Sequence, residues 1–172
     1  MTRTIFASIV ALALAAGVAV PSASWAQSES KAATPKKASA QKKVSKNDSV
    51  KTHKLAIQVA ENNPQLMNLA LNNARNVVEY YKSKGEEVAI EIVTFGPGLH
   101  MLRDDTSPVK QRIAAMALET PGVTFIACAN TQANMSKQEN KQISLISEAK
   151  VMPSGVVRIM ELEEKGYAYL RP

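Results

Sequence analysis

Cys128 is the only cysteine in the chain, and its setting makes it the first residue to examine for chemistry. It closes the run Val123-Thr-Phe-Ile-Ala-Cys128, whose β-branched and aromatic residues follow Pro121-Gly122 and read as a short buried strand. The small and polar residues after it mark an exit into a loop. In an α/β protein the carboxyl ends of the strands are where ligands bind, so this thiol is placed to serve as a nucleophile or sulfur carrier. A free cysteine is also among the most buried residue types and can do no more than pack. Both readings stay open at the level of sequence.

Other polar residues cluster at comparable positions. Gly96-Pro97-Gly98 directly follows a second strand pattern; two glycines around a proline make a sharp turn with exposed backbone N–H groups, where a ligand or another backbone can come close. It is not a phosphate-binding loop, because no Gly-Lys-Ser/Thr follows and the glycine spacing is wrong. His100 and Arg103 lie three residues apart and would share one face of a helical turn. That places an imidazole able to hold or accept a proton, and a cation, in a loop facing the thiol; the alternative is a pair of solvated loop residues. Asn62, after the first strand pattern, and Asn130 and Thr131, after Cys128, complete the candidate binding set.

The elements that must position these residues alternate. Residues 54–60 read as a strand, 65–84 as a helix with Leu66, Leu69, Ala70, Val77, Val78 and Tyr81 inward, and 87–95 as a second strand. Glu91 in mid-strand suggests a partly open face, as on an edge or at a subunit contact. A helical turn starts at Leu99, and residues 109–119 form a helix that stops before Pro121. After the Cys128 strand come a third helix over 137–148 with Ile143 and Ile146 inward, a brief strand at 150–152, a helix from Ser154 to Lys165, and a last strand at 167–170. The order predicts a three-layer α/β sandwich: a largely parallel sheet of about five strands flanked by helices, with right-handed crossovers. The loops after the first three strands then emerge at one sheet edge, around one thiol.

Outside this domain, placed at 54–172, two segments stand apart. Residues 1–26 have the build of a secretory signal: Arg3, an apolar run over 5–20, Pro21, and Ser24-Trp25-Ala26 as the cleavage site. The run is short for a membrane crossing, which needs about 20 apolar residues. Residues 27–53 are a Lys-, Ala- and Ser-rich spacer that cannot bury enough surface to order itself. From 27 to 54 eight lysines face Glu29 and Asp48, a net of +6; from 55 onward twelve basic and thirteen acidic residues leave −1. The basic charge therefore belongs to a tether, with at most weak contact to an anionic surface. Nucleic acid is excluded as a partner, because the domain lacks a basic face with interleaved aromatics. One cysteine and two histidines are too few for a typical zinc site, no cofactor is implied, and no serine sits on a nucleophile elbow.

Four stretches in order resemble the DsrE/DsrF-like family of small α/β proteins: Thr94-Phe-Gly-Pro-Gly-Leu99, Phe125-Ile-Ala-Cys-Ala-Asn-Thr131, Pro153-Ser-Gly-Val-Val157 and Gly166-Tyr-Ala-Tyr-Leu-Arg-Pro172. The similarity is strongest to an exported, largely uncharacterised branch. In better-understood branches a cysteine at the end of the third strand carries sulfur as a persulfide, and subunits assemble as trimers or hexamers. The resemblance implies Cys128 as sulfur acceptor, a homo-oligomer, and a sulfur donor or acceptor as partner; the signal segment implies a periplasmic location. Asn130, Thr131 and backbone amides would orient the terminal sulfur, and Arg103 is the nearest cation a facing loop could offer. Persulfide carriage needs a thiolate, whereas an unperturbed cysteine, of pKa about 8.5, is only a few per cent ionised near neutral pH. A following helix N-terminus would lower that value. The competing reading is a non-catalytic oligomeric binding or scaffold module in which Cys128 only packs.

Overall fold

The structure, a computed structural model, describes residues 50–172. The signal segment and all but the end of the spacer lie outside the described residues. Five strands form one sheet: β1 (Thr52–Val59), β2 (Glu87–Thr94), β3 (Val123–Cys128), β4 (Ala149–Met152) and β5 (Ala168–Leu170). Their order is β4-β3-β2-β1-β5, and every pairing is parallel. β1 starts at Thr52, which pairs with Glu87, so the last two spacer residues belong to the sheet. The four α-helices are α1 (Pro64–Lys82), α2 (Lys110–Glu119), α3 (Ala129–Glu139) and α4 (Gly155–Glu164), with a 3-10 helix at Gly96–Leu102.

Parallel strands buried on both faces need helices on both sides, and two apolar clusters mark the two faces. Ile57, Val59, Ile90, Ile92, Phe125 and Ala127 point to one side, against Met67, Ala70, Leu71 and Ala74 of α1 and Ile113 and Met116 of α2. Ala56, Val93 and Ile126, one residue out of phase, point to the other, against Ile159 and Leu162 of α4. The domain is an α/β sandwich of three layers, with one face covered by α1, α2 and the 3-10 helix and the other by α4.

Local chemistry explains where the elements begin. α1 starts because the Asn63 side chain accepts N–H bonds from Gln65 (2.9 Å) and Leu66 (3.3 Å), with Pro64 pre-set at its first position. Its buried stripe is Met67, Ala70, Leu71 and Ala74, while Leu69 is exposed. The helix is thus turned from the expected Leu66–Leu69 orientation, because small Ala70 and Ala74 let its axis approach the sheet. Glu91 also departs from expectation. β2 is the central strand, and Glu91 is not open to solvent but held by Arg158 of α4 through two bonds of 2.8 and 2.5 Å.

The third helix is the largest difference from the sequence reading. It begins at Ala129, directly after Cys128, and ends where Asn140 turns left-handed at φ 48°. Residues 140–148, expected to be helical, form an irregular segment instead. Ile143 and Ile146 are buried as expected, yet from an extended path in which Leu145 bridges Arg103. Asparagine tolerates the left-handed conformation that stops a helix, and a buried pair three apart fits an extended loop as well as a helix turn.

The 3-10 helix lies close against the end of β1. A Cβ on Gly98 would fall 2.1 Å from the Val59 carbonyl oxygen and 2.8 Å from the Ala60 nitrogen. Both are backbone atoms that cannot swing aside. Gly98→Ala is expected to lower stability by at least about 2 kcal/mol, read from the urea midpoint by circular dichroism; an unchanged midpoint would disprove the close approach.

Candidate functional site

The strand order places Cys128 at a particular kind of position. From β1 to β4 the chain steps steadily toward one edge of the sheet; from β4 to β5 it returns to the far edge. α3, which follows β3, packs Met135 on the α1 side, whereas α4, which follows β4, packs on the opposite face. The adjacent carboxyl ends of β3 and β4 are therefore where the connections part to opposite faces, the crevice in which open α/β sheets bind ligands. Cys128 is the last residue of β3, paired in register with Met152, the last of β4.

Two helix N-termini meet at this thiol. Cys128 is itself the N-cap residue of α3, and Gly155 opens α4. Burial pushes the thiol pKa up, but the Thr131 hydroxyl and the N–H groups of Gly155, Thr131 and Asn130 near the sulfur favour the thiolate and outweigh it. The net effect is a lowered pKa. No charged side chain is among these causes. The stabilisation comes from oriented backbone amides and one hydroxyl, the groups that favour a thiolate at a helix N-terminus. The residue is only 5% exposed.

The surroundings lock these donors in place. Thr131 Oγ1 accepts the Gly96 N–H at 3.0 Å, so the loop after β2 supports the hydroxyl that faces sulfur. Asn130 shares its N–H with the Pro153 carbonyl oxygen at 3.3 Å, tying the start of α3 to the exit from β4. Ser154 caps α4 by accepting the Val157 N–H at 3.4 Å. Gly155 is close against Phe95: a Cβ there would lie 2.9 Å from that ring. At the exit of β4, the strand paired with Cys128, is a crevice of about 160 Å³ lined by Met152, Pro153, Ser154, Val157, Arg158 and Glu161. Ser154 is used in its cap, and Arg158 is paired with Glu91 and Glu161. The crevice therefore offers a ligand chiefly apolar contact.

Of the residues singled out in the sequence, Cys128, Thr131, Asn130 and Gly96 come together, Asn130 through its backbone rather than its exposed side chain. Pro97 and Gly98 shape the 3-10 helix, and Gly98 serves close packing. Asn62 is exposed and makes no side-chain hydrogen bond among the described residues; its neighbour Asn63 is the functional cap. His100 is not among the groups that shift the thiol's pKa: its Nδ1 lies 2.8 Å from Thr106 Oγ1, and burial, then the charge of Arg103, lowers its own pKa.

Arg103 is not the thiol's cation either. It is buried and bonded to both oxygens of Asp105 (2.9 and 2.8 Å) and of Glu139 (2.5 and 2.9 Å). Gly155 and the β4 exit were missed as site elements. The Pro153-Ser-Gly run was visible, but nothing in the sequence places β4 beside β3. Among the described residues no group of three or more His, Cys, Asp or Glu side chains gathers as a metal site.

No family model matches the chain, and no curated protein matches it. A solved structure of a protein of unknown function from Methanobacterium thermoautotrophicum is similar, with a TM-score of 0.60 and 28% identity over 70% of this chain and 99% of that one. The likeness supports the architecture, and that protein brings no activity with it.

Two measurements follow from the site. Thr131→Val removes the hydroxyl that favours the thiolate, and hydrogen bonds to charged groups are worth about 1.5–3 kcal/mol. The pH midpoint of Cys128 alkylation should lie below the ordinary cysteine value in the wild type and rise by about one unit or more in the variant; identical midpoints would refute the hydroxyl's role. Separately, the Arg103 and then Lys141 hydrogen bonds hold the Glu139 carboxyl down to about 2, and Asp105 is lowered likewise. Depressed carboxylates stabilise the fold above their unfolded pKa, and that contribution fades as pH falls toward the folded value. Glu139→Gln should therefore flatten the loss of thermal stability between about pH 5 and pH 2, modestly, because Glu139 is a third exposed and screened. An equally steep acid limb in the variant would contradict this.

Proposed function

We propose that this chain is an exported DsrE-like protein that binds or transfers sulfur as a persulfide on Cys128. The observation that carries the reading is the meeting of two helix N-termini on one thiol at the point where the sheet's connections part. Such a site favours the anionic forms of sulfur, both the thiolate that attacks and the persulfide anion that results. In the step, the Cys128 thiolate attacks the terminal sulfur of a persulfide R–S–SH. A new S–S bond forms to Cys128, the S–S bond of the donor breaks, and R–S⁻ leaves and takes up a proton. No net oxidation is needed, and the reverse sequence hands the sulfur to an acceptor thiolate. The Thr131 hydroxyl and the amides of Asn130, Thr131 and Gly155 hold the anion, while a compact apolar R group suits the neighbouring crevice.

A second reading, an oligomeric binding or scaffold module with a packed cysteine, draws on the burial of Cys128 and on exposed Val156, Val157 and Met160 along α4. In both readings the chain is a homo-oligomer, a trimer or hexamer by its resemblance, acting in the periplasm. Incubating the mature protein with polysulfide and recording its intact mass tests the first. We expect a gain of one or more sulfur atoms, reversed by reductant and absent in Cys128→Ser. No gain, with a thiol that resists alkylation in the native protein, would sink sulfur carriage and leave the binding module.

A further inference from the structure

The bulkiest fully buried side chain among the described residues is a charged one, Arg103, at 1% exposure. A guanidinium is costly to bury unless its donors are matched, and here two carboxylates match them as planar forks. The Asp105 fork is local, two residues along the chain. The Glu139 fork reaches across 36 residues to the last residue of α3. A carboxylate there opposes the negative end of the helix dipole, and Arg103, with Lys141 at 3.3 Å, neutralises it.

α3 has unusual need of such a grip, because it contains no buried residue. Met135 is only half-buried, so apolar packing does little to fix the helix's direction. Its polar ties are therefore decisive. At its first turn Thr131 takes the Gly96 N–H; in its middle Gln132 donates to the Ile143 carbonyl (2.8 Å) and Ser136 accepts the Ile143 N–H (3.2 Å); at its last residue Glu139 binds Arg103. Gly96 opens the 3-10 helix and Arg103 directly follows it. One short rigid segment thus holds α3 at both ends. The same segment docks the chain after α3, through Asp104 N–H to the Ser144 carbonyl (2.9 Å) and Ile146 N–H to the Leu102 carbonyl (3.0 Å).

We propose that Arg103 is a positioning residue for Cys128: its fork on Glu139 fixes the direction of α3 and thereby the N-terminus of the helix that Cys128 caps. This rests on Cys128 being a working thiolate. Arg103 never touches sulfur; it acts through that helix.

The test is the pH dependence of Cys128 alkylation by iodoacetamide in the full mature chain. Glu139→Gln, a partly exposed and shape-conserving change, should raise the midpoint by roughly half a unit with an unchanged circular dichroism spectrum. Arg103→Lys keeps the charge but not the fork, and should raise it by a similar amount. The sign is diagnostic, because loss of a carboxylate acting only through its charge would lower the midpoint. An unchanged or lowered midpoint in folded Glu139→Gln overturns the proposal, even where Arg103→Lys fails to fold. Alkylation reads acidity and not sulfur uptake. A wild type that takes up no sulfur from polysulfide would therefore remove the persulfide reading, while the midpoints still decide the role of Arg103.

Discussion

The structure turns on the reversal of the strands' lateral progression between β4 and β5. Four strands run in order toward one edge, their connections on one face; the last connection must return across the sheet, and α4 takes the other face. The ends of β3 and β4 are then neighbours whose following helices part. A helix N-terminus carries unpaired N–H groups and a partial positive charge, and here two such ends converge on the Cys128 sulfur. Hydroxyl and backbone groups that the topology brings together lower the thiol's pKa, and no charged side chain is among the causes.

That convergence needs precise spacing, and the glycines supply it. Gly98 lets the 3-10 helix lie against the backbone of β1, which sets the height of Gly96 and so of the Thr131 hydroxyl. Gly155 lets α4 begin against Phe95, which brings its first amide to the sulfur. The charged groups act one step further out. Arg158 binds α4 to the central strand through Glu91, and Arg103 binds the end of α3. Both guanidiniums work as fasteners for the helices whose N-termini form the site.

Periodicity and turn chemistry in the sequence alone were enough for the α/β class, the five strands, the position of Cys128 at a strand end, and the loop residues Gly96, Asn130 and Thr131 beside it. Each depends on local preferences: β-branched runs, helical spacing, glycine and proline at breaks. The start of α3, the partner of Glu91 and the Glu139 duty of Arg103 were not legible, because contacts 35 to 67 residues apart decide them, while His100 is taken up six residues along by Thr106. A mid-strand glutamate reads as an open face until the arginine that covers it is known. An arginine three residues from a histidine reads as part of a loop site until two carboxylates are found around it. The chain alone thus determined which residues end each strand, through local conformational preference. Only the tertiary structure decided which strand ends are neighbours, because lateral order in a parallel sheet is set by long crossovers and by the faces they cover, and that order put Gly155 near Cys128 while Arg103 was taken up by Asp105 and Glu139.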